Sequence, residues 1–307
     1  MINLNNLNLA DVVSDIKEAF LSQEQFSMYR DIHEHFDFNN NFAGDDHVFS
    51  IFNKKENEFY FVISPYDEVS KKAPQQALTF KNGVIQLNFD FTSLADIRTG
   101  ALDTVLLGSL GVKDLQDKNV LYIGTGSISQ WSIKILKACY PELKKVSCIN
   151  RSKSLSAEVE ALANELGIII EIVNKDSLCE FDYIFCHTSS DEPIITQADE
   201  KNLKSSVVIA SYLTLYNFEE ISDEFWDTDK NNVVVSWDNE IQNSKDLKRA
   251  EEAKILDKTK LITLRELLKN NRSIDITKRT VFRSAGTPIQ NAGILNYVQK
   301  NKRSLNL

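Results

Sequence analysis

The chain has 307 residues, 42% of them apolar, and a formal net charge of -9 at pH 7. That apolar share supplies a sizeable core, so a disordered chain is excluded, and the length suits one large or two ordinary domains. The acidic balance speaks against nucleic acid or an anionic membrane surface as the main partner, because both need clustered positive charge.

No apolar run approaches the roughly 18 to 20 residues that cross a bilayer. The four cysteines, Cys139, Cys148, Cys179 and Cys186, show neither CxxC nor His-interleaved spacing, so no metal site is expected. The N-terminus carries no basic-then-apolar leader, and reduced thiols in a cytoplasmic protein are the plain reading.

Leu9, Val12, Val13, Ile16, Ala19 and Phe20 recur at helical spacing and predict an amphipathic first helix. The runs "HVFSIFN", "EFYFVISP", "QALTF" and "GVIQLNFDF" follow, separated by turn residues, and predict an antiparallel sheet with a hairpin at Asn82-Gly83. "SLADIRTGALDTVLLGSLGV" returns to helical periodicity, with Gly111 as its terminator. From Asn119 the rhythm changes. "NVLYIG", "KVSCIN", "IIIEIV", "FDYIFCHT", "SSVVIAS" and "NVVVSW" are near-continuous apolar strands linked by helices or loops, the pattern of a parallel sheet covered on both faces. The last segment reads as strand, glycine turn and helix, with Thr287 and Pro288 as N-cap and first helical residue.

Gly124-Thr-Gly126 follows a buried strand and opens a helix, the context in which a glycine turn holds a pyrophosphate. Gly124 permits the tight turn, Gly126 permits close approach, and Ser129 stands where a third glycine is usual. Only a small residue is needed there. The candidate residues are Gly124, Thr125, Gly126, Ser127, Ile128 and Ser129; the bland alternative is a strand-to-helix turn without ligand. The next strand ends in Asn150, Arg151 and Ser152 rather than in an acid that would accept from an adenosine ribose. A cation with small polar groups suits a 2'-phosphate, so NADP(H) is favoured over NAD(H). Thr188 and Ser189 end a later strand, at the sheet edge where ligands collect.

Four segments, "DIRTGALDTVLLGSLG", "VLYIGTGSISQWSIKIL" with "VSCINRS", "HTSSDEPII" and "RTVFRSAGTPIQN", resemble the ornithine cyclodeaminase and mu-crystallin family, which includes ketimine reductases and alanine dehydrogenases of that fold. The resemblance implies an α/β protein. Its Rossmann NAD(P)-binding domain, residues 115–286, is inserted into an α+β substrate and dimerisation domain, residues 1–114 completed by 287–307. It also implies a homodimer, a small carboxylate-bearing substrate held by Arg98, and Ser284 and Gly286 against the nicotinamide.

The departures from the family pattern concern the acid-base groups. Where the family has a lysine in the sheet before the RTGA segment, "EFYFVISP" offers aromatics. Where it has an aspartate after the fifth Rossmann strand, this chain supplies Tyr212, Thr214 and Tyr216. No arginine lies between Arg30 and Arg98 to provide a second carboxylate anchor. Ornithine cyclisation requires several managed proton transfers, whereas one hydride delivery to a C=N carbon requires a cofactor, a carboxylate anchor and one donor. The expected function is therefore an NAD(P)H-dependent imine or ketimine reductase of an amino-acid-derived substrate, formally also an amino-acid dehydrogenase. Arg98, His187 and Tyr212 are its candidate catalytic residues. Tyr60 and Tyr216 are further donors, and His33, His35 and His47 read as loop histidines. A cyclodeaminase with relocated acid-base groups and a noncatalytic NADPH-binding or partner-binding protein remain as alternatives.

Overall fold

An asparagine cap opens the first helix. α1 (Leu9–Leu21) starts where the Asn8 side chain accepts from the Asp11 N–H, and Val12, Ile16, Ala19 and Phe20 form its buried stripe. The computed structural model describes residues 2–36, 42–64, 75–190, 192–212 and 219–307, with backbone alone at 31–36 and 42–47. Thr214 and Tyr216, and the side chains of His33, His35 and His47, lie outside the described residues.

β1 (Phe26–Phe36), β2 (Phe42–Asn53), β3 (Glu58–Ser64), β4 (Gln76–Lys81) and β5 (Val84–Asp90) form one antiparallel sheet in chain order. Asn82 and Gly83, at φ 53° and 78°, join β4 to β5 with both central residues left-handed, which is why the Asn-Gly pair is found there. Strand alternation then separates two faces. Tyr60 and Val62 point inward and are buried, while Phe59 and Ile63 point outward and are exposed. On the outer face Phe52 stacks on Phe59 at 4.4 Å between centroids, and Phe61 meets Phe80 edge-on at 5.7 Å. α2 (Thr92–Ser109) follows, and Gly111, at φ 77°, ends it as expected.

The chain next builds β6 (Val120–Ile123), α3 (Ser127–Cys139), β7 (Lys145–Ile149), α4 (Ala157–Leu166) and β8 (Ile169–Ile172). β9 (Tyr183–Cys186), β10 (Val208–Ser211), β11 (Asn232–Val235), α5 (Lys245–Glu252), β12 (Ile262–Thr263), α6 (Leu264–Leu268) and β13 (Thr280–Arg283) complete an eight-stranded sheet. Its order is β12-β11-β13-β10-β9-β6-β7-β8, and every strand pair is parallel. All residues of β6, β9, β10, β11 and β13 are buried, as continuous apolar runs require in a parallel sheet. Chain order reverses between β6 and β9, so a topological switch point lies at the carboxyl ends of those two strands.

The last helix is α7 (Pro288–Asn301). Proline occupies its first position as expected, but the Thr287 side chain makes no capping hydrogen bond, and its hydroxyl is buried. A Cβ on Gly293 would lie 2.6 Å from Ile16 Cα, so glycine is what lets α7 touch α1. Two compact units result, residues 1–101 with 287–307 and residues 102–286. The boundary between residues 101 and 102 falls within α2.

Candidate functional site

β6 ends at Ile123, and Gly124 turns the chain at φ 97°. A Cβ there would stand 2.4 Å from the His187 carbonyl oxygen. Glycine is thus demanded twice, by backbone conformation and by the loop that crosses it. Gly126 is the N-cap of α3, at φ -71°, and a Cβ on it would meet nothing within 4 Å. Sterics do not require glycine at that position. Its contribution is an N-cap without a side chain, which leaves the helix start open to an anion.

Around this turn is a cleft of about 570 Å³. Gly124, Thr125 and Gly126 line one part of it, Asn150, Arg151 and Ser152 a second, and Thr188 and Ser189 a third. Asn150 ties the first two together, donating through Nδ2 to Thr125 Oγ1 at 3.3 Å and to the Ser154 carbonyl at 2.8 Å. Ser127 is exposed at the start of α3, Ile128 is half-buried and Ser129 is buried; none of the three lines the cleft. Ser129 donates its hydroxyl to the Gly124 carbonyl at 3.0 Å. Ser284 and Gly286 end β13, two strands from β9, and are not among the cleft's lining residues. The Ala285 N–H between them donates to the buried Glu240 at 2.5 Å.

His187 is among the residues that line the cleft, with its imidazole turned inward, and Tyr212 is not among them. The His187 side chain is fully buried, with Nδ1 3.4 Å from Ser129 Oγ and Nε2 3.5 Å from Asp103 Oδ2. Tyr212 packs on it at 4.8 Å between ring centroids and is 2% exposed. Burial pushes the Tyr212 phenol well above its ordinary value, with the Asp103 charge adding to the effect. Asp103 also accepts from Ser132, whose hydroxyl lies 2.6 Å from Tyr122 OH. This group forms a buried polar layer behind the turn. Tyr60 is likewise committed, donating to Glu58 Oε2 at 2.9 Å.

The sequence reading passed over Glu220. Its carboxylate is wholly buried after β10 and accepts from both Thr188 and Tyr212. An acidic residue in a loop between uncertain strands carries no pattern, and only the fold reveals its partners.

Within the other unit, Arg98 is 2% exposed. It donates through Nη1 to Gln290 Oε1 at 2.7 Å and to Thr99 Oγ1 at 3.0 Å, while its Nε has no partner. Burial first, and then the nearby Arg30 charge, pull its pKa down to about 10, partly offset by Asp96. Arg30 comes from β1 and lies over the Phe49 ring at 5.4 Å. Arg30 thus brings a second cation near Arg98 from outside residues 31–97, where the sequence has no arginine.

A family model described as shikimate / quinate 5-dehydrogenase matches residues 107–213. No curated protein matches the chain in sequence. Among solved structures, the iminosuccinate reductase of Paracoccus denitrificans in complex with NAD+ has a TM-score of 0.80 at 16% identity, over 97% of this chain and 93% of that one. The Thermococcus litoralis Delta(1)-pyrroline-2-carboxylate reductase in complex with NADH and L-proline gives 0.80 at 16%, over 97% and 94%. A probable ornithine cyclodeaminase from Bordetella pertussis Tohama I gives 0.79 at 17%, over 97% and 94%. The chain therefore has an α/β fold with a Rossmann-type parallel sheet. More particularly, its fold is that of the ornithine cyclodeaminase and mu-crystallin group, which the four sequence segments resemble. Among the described residues no helix is long and apolar enough to cross a membrane, and no His, Cys, Asp and Glu cluster suits a metal.

Proposed function

We propose that the protein is an NAD(P)H-dependent oxidoreductase that reduces the C=N bond of a small amino-acid-derived imine bearing a carboxylate. The observation that carries this reading is the cleft built on Gly124, where a side chain is forbidden and the start of α3 is free of a side-chain cap. Gly124, Thr125, Gly126 and the α3 N-terminus would hold the pyrophosphate, and the bound cofactor would supply the hydride. Asn150 holds the loop that presents Arg151 and Ser152 to the adenosine ribose. With Arg151 there and no acid at Asn150, NADP(H) is favoured over NAD(H), although the two reductases of like fold carry NAD+ and NADH.

Arg98, with Arg30 beside it, would bind the substrate carboxylate, since guanidinium groups match that geometry and a buried cation gains from an incoming anion. With His187 and Tyr212 buried, they would shape the site and not donate the proton. The outer sheet face, with Phe59, Ile63, Ile85 and Tyr29 exposed, supports a homodimer. The test is fluorescence titration with NADPH and NADH, followed by a panel of cyclic and acyclic 2-imino acids with NADPH oxidation as readout. Cofactor binding with imine-dependent oxidation supports the reading. Binding without any oxidation would make the protein a noncatalytic NADPH binder, and ammonia release from ornithine would make it a cyclodeaminase.

A further inference from the structure

One wall of the cofactor cleft is moulded by a segment that does not line it. Glu219 N–H donates to the Ser190 carbonyl at 2.9 Å, and the Glu220 carbonyl accepts from Ile194 N–H and Ile195 N–H at 2.8 and 3.0 Å. Ser190 and Ile194 both face the cleft. The Glu220 side chain then takes four further donors. Thr188 N–H and Oγ1–H reach Oε1 at 2.6 and 2.9 Å, and Ser211 Oγ–H and Tyr212 N–H reach Oε2 at 2.8 and 3.1 Å. From the opposite side Arg249 grips Glu219 at 2.6 and 2.9 Å and Asp223 at 2.5 Å.

We propose that Glu220 is a positioning residue for the cofactor: its buried carboxylate fixes Thr188, and through Thr188 the glycine turn, in the shape that accepts the dinucleotide. The proposal rests on the dinucleotide reading of the cleft. A carboxylate only accepts hydrogen bonds, and four convergent donors are what a buried, ionised one needs. The donors come from the ends of β9 and β10, so one side chain sets two loops at once. The Thr188 methyl stands beside Gly124, where a Cβ would lie only 3.1 Å from it, so the position of Thr188 bounds the space at the turn. Both Thr188 donors are consumed by Glu220. Thr188 can therefore meet the cofactor through its methyl group or as an acceptor, but not by donating its hydroxyl proton. No neutral residue of this size reproduces the arrangement, because an amide places its own N–H2 against two of the four donors.

The experiment measures the dissociation constants of NADPH and NADH together with the thermal midpoint for the wild type, Glu220→Gln, Arg249→Ala and Asn232→Ala. Asn232 is a buried residue of β11 that bonds to residues 275–280, so its loss lowers stability away from the cleft. Glu220→Gln should weaken the cofactor about ten-fold or more, as expected when buried donors lose their acceptor. Arg249→Ala, which loosens the segment from behind, should weaken it about three-fold. Asn232→Ala should lower the midpoint and leave the dissociation constant unchanged. If Glu220→Gln is folded and binds as tightly as wild type, the proposal is overturned; the same holds if all three variants lose affinity in proportion to stability. Should Glu220→Gln not fold, Arg249→Ala against Asn232→Ala decides alone. Failure of the wild type to bind either cofactor would instead sink the dinucleotide reading itself.

Discussion

Ser129 tethers the glycine turn from within, its hydroxyl donating to the Gly124 carbonyl at 3.0 Å. A third glycine would supply space but no bond. Ser129→Gly, which completes the familiar glycine pattern, should therefore lower stability by about 1–2 kcal/mol, combining a lost buried hydrogen bond with glycine in a helix. It should not tighten cofactor binding. Chemical denaturation alongside cofactor titration checks both halves, and tighter binding would show that the serine is a compromise.

The two glycines of the turn should respond differently. Gly124→Ala forces a Cβ against the His187 carbonyl at a left-handed φ and should cost about 2–4 kcal/mol as well as cofactor binding. Gly126→Ala meets no neighbour, so the free protein should melt within a degree or two of wild type while cofactor affinity falls. Loss of stability without loss of affinity in the second variant would mean that no phosphate approaches there.

Arg151→Ala should weaken NADPH by about ten-fold and NADH by less than two-fold, since only the former carries the 2'-phosphate. Equal losses for both cofactors would refute the role given to Arg151.

Arg98→Ala should abolish turnover of a carboxylate substrate and spare cofactor binding, with Arg98→Lys recovering little because a lysine lacks the planar fork. Isothermal titration and steady-state kinetics separate the two effects. Unchanged turnover would remove Arg98 from the site.

Burial raises the Glu220 carboxyl above its ordinary value, opposed by its Thr188 and Ser211 donors and the His187 charge. The sign is that of an acid whose folded pKa exceeds its unfolded one, so this group's contribution to stability grows, not falls, as pH drops through the folded value. Cofactor affinity should move the other way, because a protonated carboxyl cannot accept all four donors. The expected result is weaker cofactor binding on acidification while Glu220 still favours the folded chain, followed by fluorescence titration and melting across pH. Asp103, His187, Tyr212 and Cys186 surround the same region, and Glu220→Gln isolates the share due to Glu220.

The sequence made the parallel sheet and the Asn82-Gly83 hairpin legible because each depends on local pattern: apolar runs, and two residues that tolerate left-handed φ. Gly124 was legible for the same reason. The depth of His187 and Tyr212 was not, since both lie near strand ends where chain position alone suggests an open cleft, and only packing buries them. Arg30 and Glu220 were missed for a complementary reason. Each has its neighbour far off in sequence, Arg98 and Thr188, and no spacing rule links them.

The position of β13 bears on how the protein is made. Residues 280–283 enter between β10 and β11, the latter completed almost fifty residues earlier, so the strands flanking that gap emerge from the ribosome without their partner. Until β13 arrives, β10 and β11 each present an unpaired inner edge, the kind of surface that invites pairing with a neighbouring nascent chain. Closure of the sheet thus waits on β13, and a chain stopped just before Thr280 would leave β12 and β11 separated from the other five strands.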